Sequence, residues 1–126
     1  MTEITWVQKS GRTQEDRAEV RFSTEYRIYF NKAAVAITGI NEKSYKYIQV
    51  GLNKKERKVY FKFEKSKGRE YYTLQNRDSH GRNVKIQKIM RQNSWVQKTT
   101  TLSSSDRYFP LQKSTDNTWY LSLPRP

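Results

Sequence analysis

The chain has 126 residues, enough for one domain, and 25 Lys and Arg against 12 Asp and Glu give it a formal charge of +13. It contains no cysteine, which excludes disulfides, zinc–thiolate sites and thiol nucleophiles. The longest apolar run, Ala33 to Ile37, is too short to cross a bilayer, and residues 1–8 lack the basic and apolar regions of a secretory signal. We therefore expect a soluble, cytoplasmic protein that does not bind membranes.

The composition predicts a folded chain with a thin core. Leu, Ile, Val and Phe account for 25 of the 126 residues, which is near the border for disorder. Nine tyrosines and three tryptophans change that balance, because each buries a large area while keeping a polar edge. Disordered basic chains are poor in aromatic residues, so this composition favours a globular fold.

The positive charge is concentrated in the centre of the chain. Residues 43–91 hold fifteen basic and four acidic residues, whereas residues 1–42 hold six of each. If the central segment folds as one sheet with a helix beside it, its cations must form a positive face that attracts polyanions. The alternative is a charge that serves only solubility, although +13 exceeds what small domains usually carry for that purpose.

The first third of the chain predicts strands followed by a short helix. Residues 1–19 comprise a strand candidate, Ile4–Gln8, and a polar segment. Alternation from Val20 to Phe30 indicates one strand or a bent pair of strands. Asn31 as N-cap, several alanines and Gly39 as the C-terminal stop predict a helix over Lys32–Thr38, packed on a sheet.

The middle of the chain predicts a hairpin and a third strand. Ile48, Val50 and Leu52 alternate with polar residues, a turn follows at Asn53–Glu56, and alternation resumes in RKVYFKFEK with Val59, Phe61 and Phe63 on one side. The segment EYYTLQ, residues 70–75, is the third strand of a predicted antiparallel meander.

The last third predicts a helix, a loop and two strands. Apolar spacing from Val84 to Gln92 favours a short amphipathic helix that Asn83 could cap, with a strand as the alternative. Residues 98–106 are of low complexity and predict a mobile loop. RYFPLQ and NTWYLSL predict a closing pair of strands in which Pro110 marks a sheet edge. The whole is a single α+β domain over residues 1–126, in which one or two short helices pack on an antiparallel, meander-based sheet of about five or six strands.

Three segments resemble a pattern found in small prokaryotic and mobile-element proteins: YRIYFNKAAVAITG, YKYIQVGLNKKERKVYFKF and VKIQKIMRQNSW. The resemblance covers roughly residues 26–96 and continues into the closing strands. It implies the order strand, helix, hairpin and second short helix, and a phage, plasmid or bacterial context. It implies no activity.

The residues offer little catalytic chemistry. Asp78, Ser79 and His80 are neighbours in one turn, and such neighbours cannot form a nucleophile–base–orienter arrangement. One histidine without cysteine leaves only scattered carboxylates as metal ligands, and the five glycines are isolated, so no phosphate loop is present. We expect no enzyme, no metal and no cofactor, although carboxylates gathered into a pocket by folding would reopen the question.

Tyrosines interleaved with cations predict a nucleic-acid-binding face. If Val59, Phe61 and Phe63 point inward, Tyr60 and Lys62 point outward, and bases can stack on tyrosine while lysine and arginine neutralise phosphates. RNA or single-stranded DNA is the favoured partner, because no helix-turn-helix is evident for duplex DNA. The alternatives are a tyrosine face covered by a helix, and a module that docks on an acidic protein. The predicted binding residues are Lys46, Tyr47, Lys54, Lys55, Arg57, Lys58, Tyr60, Lys62, Lys67, Arg69, Tyr72, Lys85, Lys88 and Arg91.

Overall fold

The computed structural model describes residues 17–76, 82–115 and 117–124. The predicted strand Ile4–Gln8 and the turn containing His80 lie outside the described residues. Within these ranges the chain forms ten strands: β1 Glu19–Phe22, β2 Arg27–Phe30, β3 Tyr47–Asn53, β4 Lys58–Glu64, β5 Tyr72–Thr73, β6 Gln75–Asn76, β7 Arg82–Lys85, β8 Tyr108–Pro110, β9 Gln112–Thr115 and β10 Thr118–Ser122. The helices are α1 Lys32–Thr38, α2 Gln87–Gln92 and α3 Ser94–Gln97, and 3-10 turns occupy Lys98–Thr101 and Ser104–Asp106.

The strands form two antiparallel sheets, which confirms the predicted α+β single domain. Sheet A has the order β6-β7-β2-β1-β8 and sheet B the order β5-β3-β4-β10-β9. Their inner faces share one core, in which Phe30 of sheet A meets Phe61 and Phe63 of sheet B edge to face, with ring centroids 5.4 and 5.6 Å apart. The predicted single sheet of five or six strands is thus divided between two layers.

Apart from the passage through α1 between β2 and β3, the chain crosses from one sheet to the other at two buried leucines. Leu74 separates β5 in sheet B from β6 in sheet A, and its amide donates to the Lys46 carbonyl at 2.9 Å. Leu111 separates β8 in sheet A from β9 in sheet B, and its amide donates to the Ala18 carbonyl at 2.9 Å. Both side chains enter the core, so each crossing keeps its apolar group buried and its backbone paired.

The first helix has the predicted bounds and caps. Asn31 Oδ1 accepts from the Ala34 amide at 2.8 Å, and Gly39 has the left-handed φ of 71° that ends the helix. Ala34 and Thr38 are buried against the strands, whereas Ile37 is 51% exposed. Among the described residues, none of the helices has the length and apolar content needed to cross a membrane.

The β3–β4 hairpin is confirmed, but the predicted meander is wrong in its third strand. β5 pairs with β3, not with β4, so the loop after β4 carries the chain back across the end of the hairpin. The free edge of β4 is occupied by β10, whose five residues Thr118–Ser122 all pair with it. Strand β4 pairs with β10 over five residues, whereas β5 pairs with β3 over only two. The partner of β4 is thus a segment distant from it in sequence.

The segment predicted as a helix over Val84–Gln92 is half strand and half helix. Residues 82–85 form β7 because all four pair with β2, placing Val84 opposite Ile28. Asn83 lies within this strand and accepts a hydrogen bond from Arg27, so it is not a helix cap. Helix α2 begins only at Gln87 and lacks a side-chain cap.

The C-terminal third also divides between the sheets. The predicted loop over 98–106 forms the two 3-10 turns, in which the hydroxyls of Thr99, Thr100 and Thr101 each donate to the carbonyl three residues earlier. The prediction that Pro110 marks an edge is confirmed, because β8 is the last strand of sheet A. Strands β9, Gln112–Thr115, and β10, Thr118–Ser122, pair with each other in sheet B.

We expect Phe30→Ala to lower the free energy of unfolding by about 3–5 kcal/mol, because it removes the ring that joins the two sheets and leaves a cavity. Phe30→Leu, which retains most of the buried volume, should cost less. Urea unfolding followed by tryptophan fluorescence measures both. A loss below about 1 kcal/mol for Phe30→Ala would show that other contacts hold the sheets together.

Candidate nucleic-acid interface

The outward face of sheet B carries two of the three tyrosines that the sequence predicted there, Tyr47 and Tyr60. Val59, Phe61 and Phe63 are fully buried, so the intervening Tyr60 and Lys62 of the central strand β4 point away from the core. Pairing across the sheet extends this surface, which we call the sheet B face: Tyr47, Gln49, Gly51, Lys58, Tyr60, Lys62, Glu64, Thr118 and Tyr120.

Two tyrosines form the centre of the sheet B face. Tyr60 and Tyr120 are directly opposite in the β4–β10 ladder, with ring centroids 5.6 Å apart and ring planes tilted by 39°. Lys58 Nζ lies 4.8 Å from the centroid of Tyr120, and the Tyr120 hydroxyl donates to Gln112 Oε1 at 2.9 Å. The opposite neighbour of Tyr60 is Gly51, which has no side chain, so one side of the Tyr60 ring is left uncovered by β3.

The cations of this face have only weak intramolecular partners. Lys62 Nζ lies 4.0 Å from Glu64 Oε1, and Lys58 Nζ lies 3.8 Å from Glu56 Oε1. Each pair joins one exposed and one half-buried side chain near the surface, where an ion pair contributes about 0–1 kcal/mol. The two lysines are therefore available to a phosphate at little cost.

Two predicted binding residues are held elsewhere. Arg57, in the turn with φ 58°, donates from Nε to the Pro124 carbonyl at 3.1 Å, and its guanidinium lies 5.6 Å from the Trp95 ring. Tyr72 pairs with Ile48 and therefore lies on the core side of sheet B, where burial raises the pKa of its hydroxyl. The stacking role predicted for Tyr72 is wrong, because strand parity turns its ring inward.

Most of the other predicted cations flank the sheet B face. Lys54 and Lys55 are exposed in the β3–β4 turn, next to Lys58 at one end of the face. Lys67 and Arg69 are exposed in the loop after β4, and Lys46 precedes Tyr47, so these three lie at the other end.

The remaining predicted cations belong to other parts of the surface. Lys85 lies on the outer side of sheet A, and Lys88 and Arg91 are exposed on α2. Arg82 is committed to the fold, because its guanidinium donates to Asn41 and to the carbonyls of Leu74 and Gln75. The central segment therefore does not form the one positive face that its charge predicted.

Tyr120 is the residue of this face that sequence reasoning missed. Trp119, Leu121 and Leu123 are buried in alternation, so Tyr120 faces outward. That alternation is visible in NTWYLSL and identifies Tyr120 as outward-facing. Its position beside Tyr60 was not visible, since the pairing of β10 with β4 joins segments about 60 residues apart.

The outward face of sheet A is a second aromatic and cationic surface, which the sequence did not predict. We call it the sheet A face: Arg21, Arg27, Tyr29, Lys85 and Tyr108. Arg21 lies between Tyr29 and Tyr108 in the ladders, with its guanidinium 4.2 Å from the Tyr29 centroid. Arg27 Nη1 donates to Asn83 Oδ1 at 2.9 Å, and Lys85 is its direct neighbour.

One carboxylate, that of Glu19, is at an outward position of β1 two residues before Arg21, but it is buried. Glu19 is 6% exposed, its Oε1 has no hydrogen-bond partner in the described part of the chain, and burial raises the pKa of its carboxyl above the usual range. The nearby charge of Arg17 offsets part of that rise. The cations of this face, of which Lys85 is exposed and Arg21 and Arg27 are half-buried, therefore have no exposed carboxylate beside them in β1, β2 or β7.

A groove of about 330 Å³ lies between α1 and the β9–β10 hairpin. Its lining residues are Ile37, Thr38, Lys43, Tyr45, Lys113, Asn117 and Trp119. None of these is a carboxylate, so the groove does not supply the gathered acids that an enzyme hypothesis requires. In the ranges that the structure describes, no three His, Asp or Glu side chains are grouped closely enough to hold a metal ion.

We expect Glu19→Gln to stabilise the protein at neutral pH, because it removes a buried charge. The folded state raises the pKa of Glu19, so it binds the proton more tightly than the unfolded state does. This group's contribution to wild-type stability therefore falls as the pH rises from the usual pKa of a glutamate to the raised pKa of Glu19. The difference between variant and wild type should therefore be small near pH 3 and grow towards about pH 7 in urea unfolding. Glu25→Gln, at an exposed turn position, is the matched control for loss of charge. A difference that does not change with pH would contradict the expectation.

Comparison with known proteins gives no match for this chain. No protein-family model matches the chain, and no curated protein or solved structure matches it significantly.

Proposed function

We propose that this protein binds single-stranded nucleic acid, RNA or DNA, on the sheet B face and performs no catalysis. The observation that carries the proposal is the Tyr60–Tyr120 pair, which has Lys58 and Lys62 beside it and the bare Gly51 on its open side. Aromatic rings on a sheet provide a surface on which bases stack, and adjacent cations neutralise the phosphates.

The space beside Tyr60 suits a base. Both tyrosines are half-buried, so part of each side chain is packed against the protein and the rest is open to solvent. Gly51 replaces the side chain that would otherwise cover the Tyr60 ring from β3, and an added Cβ there would lie 3.7 Å from Tyr60 Cβ. An inserted base would meet a half-buried ring that already packs on Tyr120, which reduces the entropy lost on binding.

The cations are arranged along a path across the face. Seven-residue strands such as β4 extend about 20 Å. Lys54 and Lys55 lie at one end of that length and Lys67 and Arg69 at the other, with the tyrosines between them. A flexible single strand running along β4 can thus stack at the centre and place phosphates near both ends. Duplex DNA fits less well, because α2 has only six residues and presents no paired recognition helix.

The primary experiment is fluorescence anisotropy with labelled single-stranded RNA, single-stranded DNA and duplex DNA at about 50, 150 and 300 mM salt. We expect submicromolar binding to one of the single strands that persists at about 150 mM salt. Equal, weak binding to all three that disappears by that concentration would overturn the proposal. The charge would then be a general polyanion attractor, and the search would turn to an acidic protein partner.

Tyr60→Ala should weaken binding of the preferred single strand by about 5- to 150-fold, because one stacked base contributes about 1–3 kcal/mol. Tyr60→Phe keeps the ring and loses only the hydroxyl, so its affinity should stay near that of the wild type. Both variants are measured by anisotropy after circular dichroism has confirmed the fold. Unchanged affinity in folded Tyr60→Ala would remove this residue from the site.

Gly51→Val should weaken binding while leaving the fold intact or more stable. The new side chain fills the space beside Tyr60, and its Cβ fits without a clash. A glycine within a strand costs roughly 0.5–1 kcal/mol relative to residues with a side chain, so the melting temperature should hold or rise. Thermal unfolding and anisotropy together separate a blocked site from a damaged fold. Wild-type affinity in this variant would show that no base enters beside Tyr60.

A further inference from the structure

The two aromatic and cationic faces point in opposite directions. The inner sides of both sheets pack on one core through Phe30, Phe61 and Phe63, so the sheet A face and the sheet B face are the outer surfaces of the same two-layer domain. Packed sheets are about 10 Å apart, and the outward side chains add to that separation. A short oligonucleotide on one face cannot reach the other without passing around the protein.

The sheet A face has the chemistry to hold a phosphodiester strand independently. Arg21 is oriented by the Tyr29 ring, and arginine binds phosphate oxygens through two parallel hydrogen bonds. Tyr108 lies on the other side of Arg21 and is 41% exposed, so its ring is open to a base. Lys85 and Arg27 add two charges along the next strands, and the only carboxylate in β1, β2 and β7 is the buried Glu19.

We infer that one chain binds two single-stranded segments at once, one on each face, and thereby bridges them. This inference rests on the proposed function of the sheet B face and adds a second site to it. The occupant of the sheet A face is again a single strand, because the complementarity is to phosphate charge and to a stacking base.

The test uses the whole protein with donor- and acceptor-labelled uridine oligonucleotides of about 8 nucleotides, or thymidine ones if DNA is preferred. Native mass spectrometry counts the oligonucleotides on each chain, and energy transfer reports whether two of them are held together. We expect one chain to carry two oligonucleotides and to produce energy transfer at about 150 mM salt.

Two matched double variants separate the faces, and each removes two cations. Arg21→Gln/Lys85→Gln alters the sheet A face, and Lys58→Gln/Lys62→Gln alters the sheet B face. Each should reduce the count from two oligonucleotides to one and abolish energy transfer. Arg27 is left in place because it donates to Oδ1 of the buried Asn83 side chain.

The possible failures are distinguishable. A single oligonucleotide per wild-type chain, still sensitive to Tyr60→Ala, would overturn the second site and leave the proposed function standing. Energy transfer found only in complexes of two chains, or persisting in Arg21→Gln/Lys85→Gln, would also overturn it. If no oligonucleotide binds at all, the proposed function and this inference fail together.

Discussion

The contact of Phe30 with Phe61 and Phe63 is the interaction on which the rest of the structure depends. It joins the central strands of two sheets, and a chain with few aliphatic residues has few other large groups to perform that task. Edge-to-face aromatic packing adds about 0.5–1.5 kcal/mol per pair beyond area burial. Because this contact fixes which side of each sheet is internal, it also fixes which side chains remain outside.

The binding surfaces follow from the alternation of side chains along each strand: where one residue faces the core, its two neighbours face outward. Along β4, burial of Phe61 and Phe63 leaves Lys62 and Tyr60 outward, and along β2, burial of Phe30 and Ile28 leaves Tyr29 and Arg27 outward. The same rule turns Tyr72 inward beside Ile48. A one-residue change of register in either strand would turn the core side chains outward and the surface side chains inward. The buried apolar side chains and the outward tyrosines therefore both follow from the same alternation along the strand.

The sequence predicted an element correctly where the interactions that form it join residues close together in the chain. The helix over Lys32–Thr38 could be predicted because Asn31 and Gly39 each act within a few residues. The β3–β4 hairpin could be predicted because both strands alternate around one short turn. Residues 82–92 were harder, since a mixed apolar spacing fits either element, and pairing with β2 made only the first part a strand.

The sequence by itself determined the fold class, the first helix, the hairpin and the outward position of Tyr60 and Lys62, because periodicity and capping depend on neighbours in the chain. Only the tertiary structure decided that β10 lies beside β4 and that the chain changes sheets at Leu74 and Leu111. Those pairings decided which side chains meet: Tyr120 lies beside Tyr60, and Tyr108 lies beside Arg21. The physical reason is that long-range strand pairing is selected by competition among edges for hydrogen bonds and burial, which no single segment encodes.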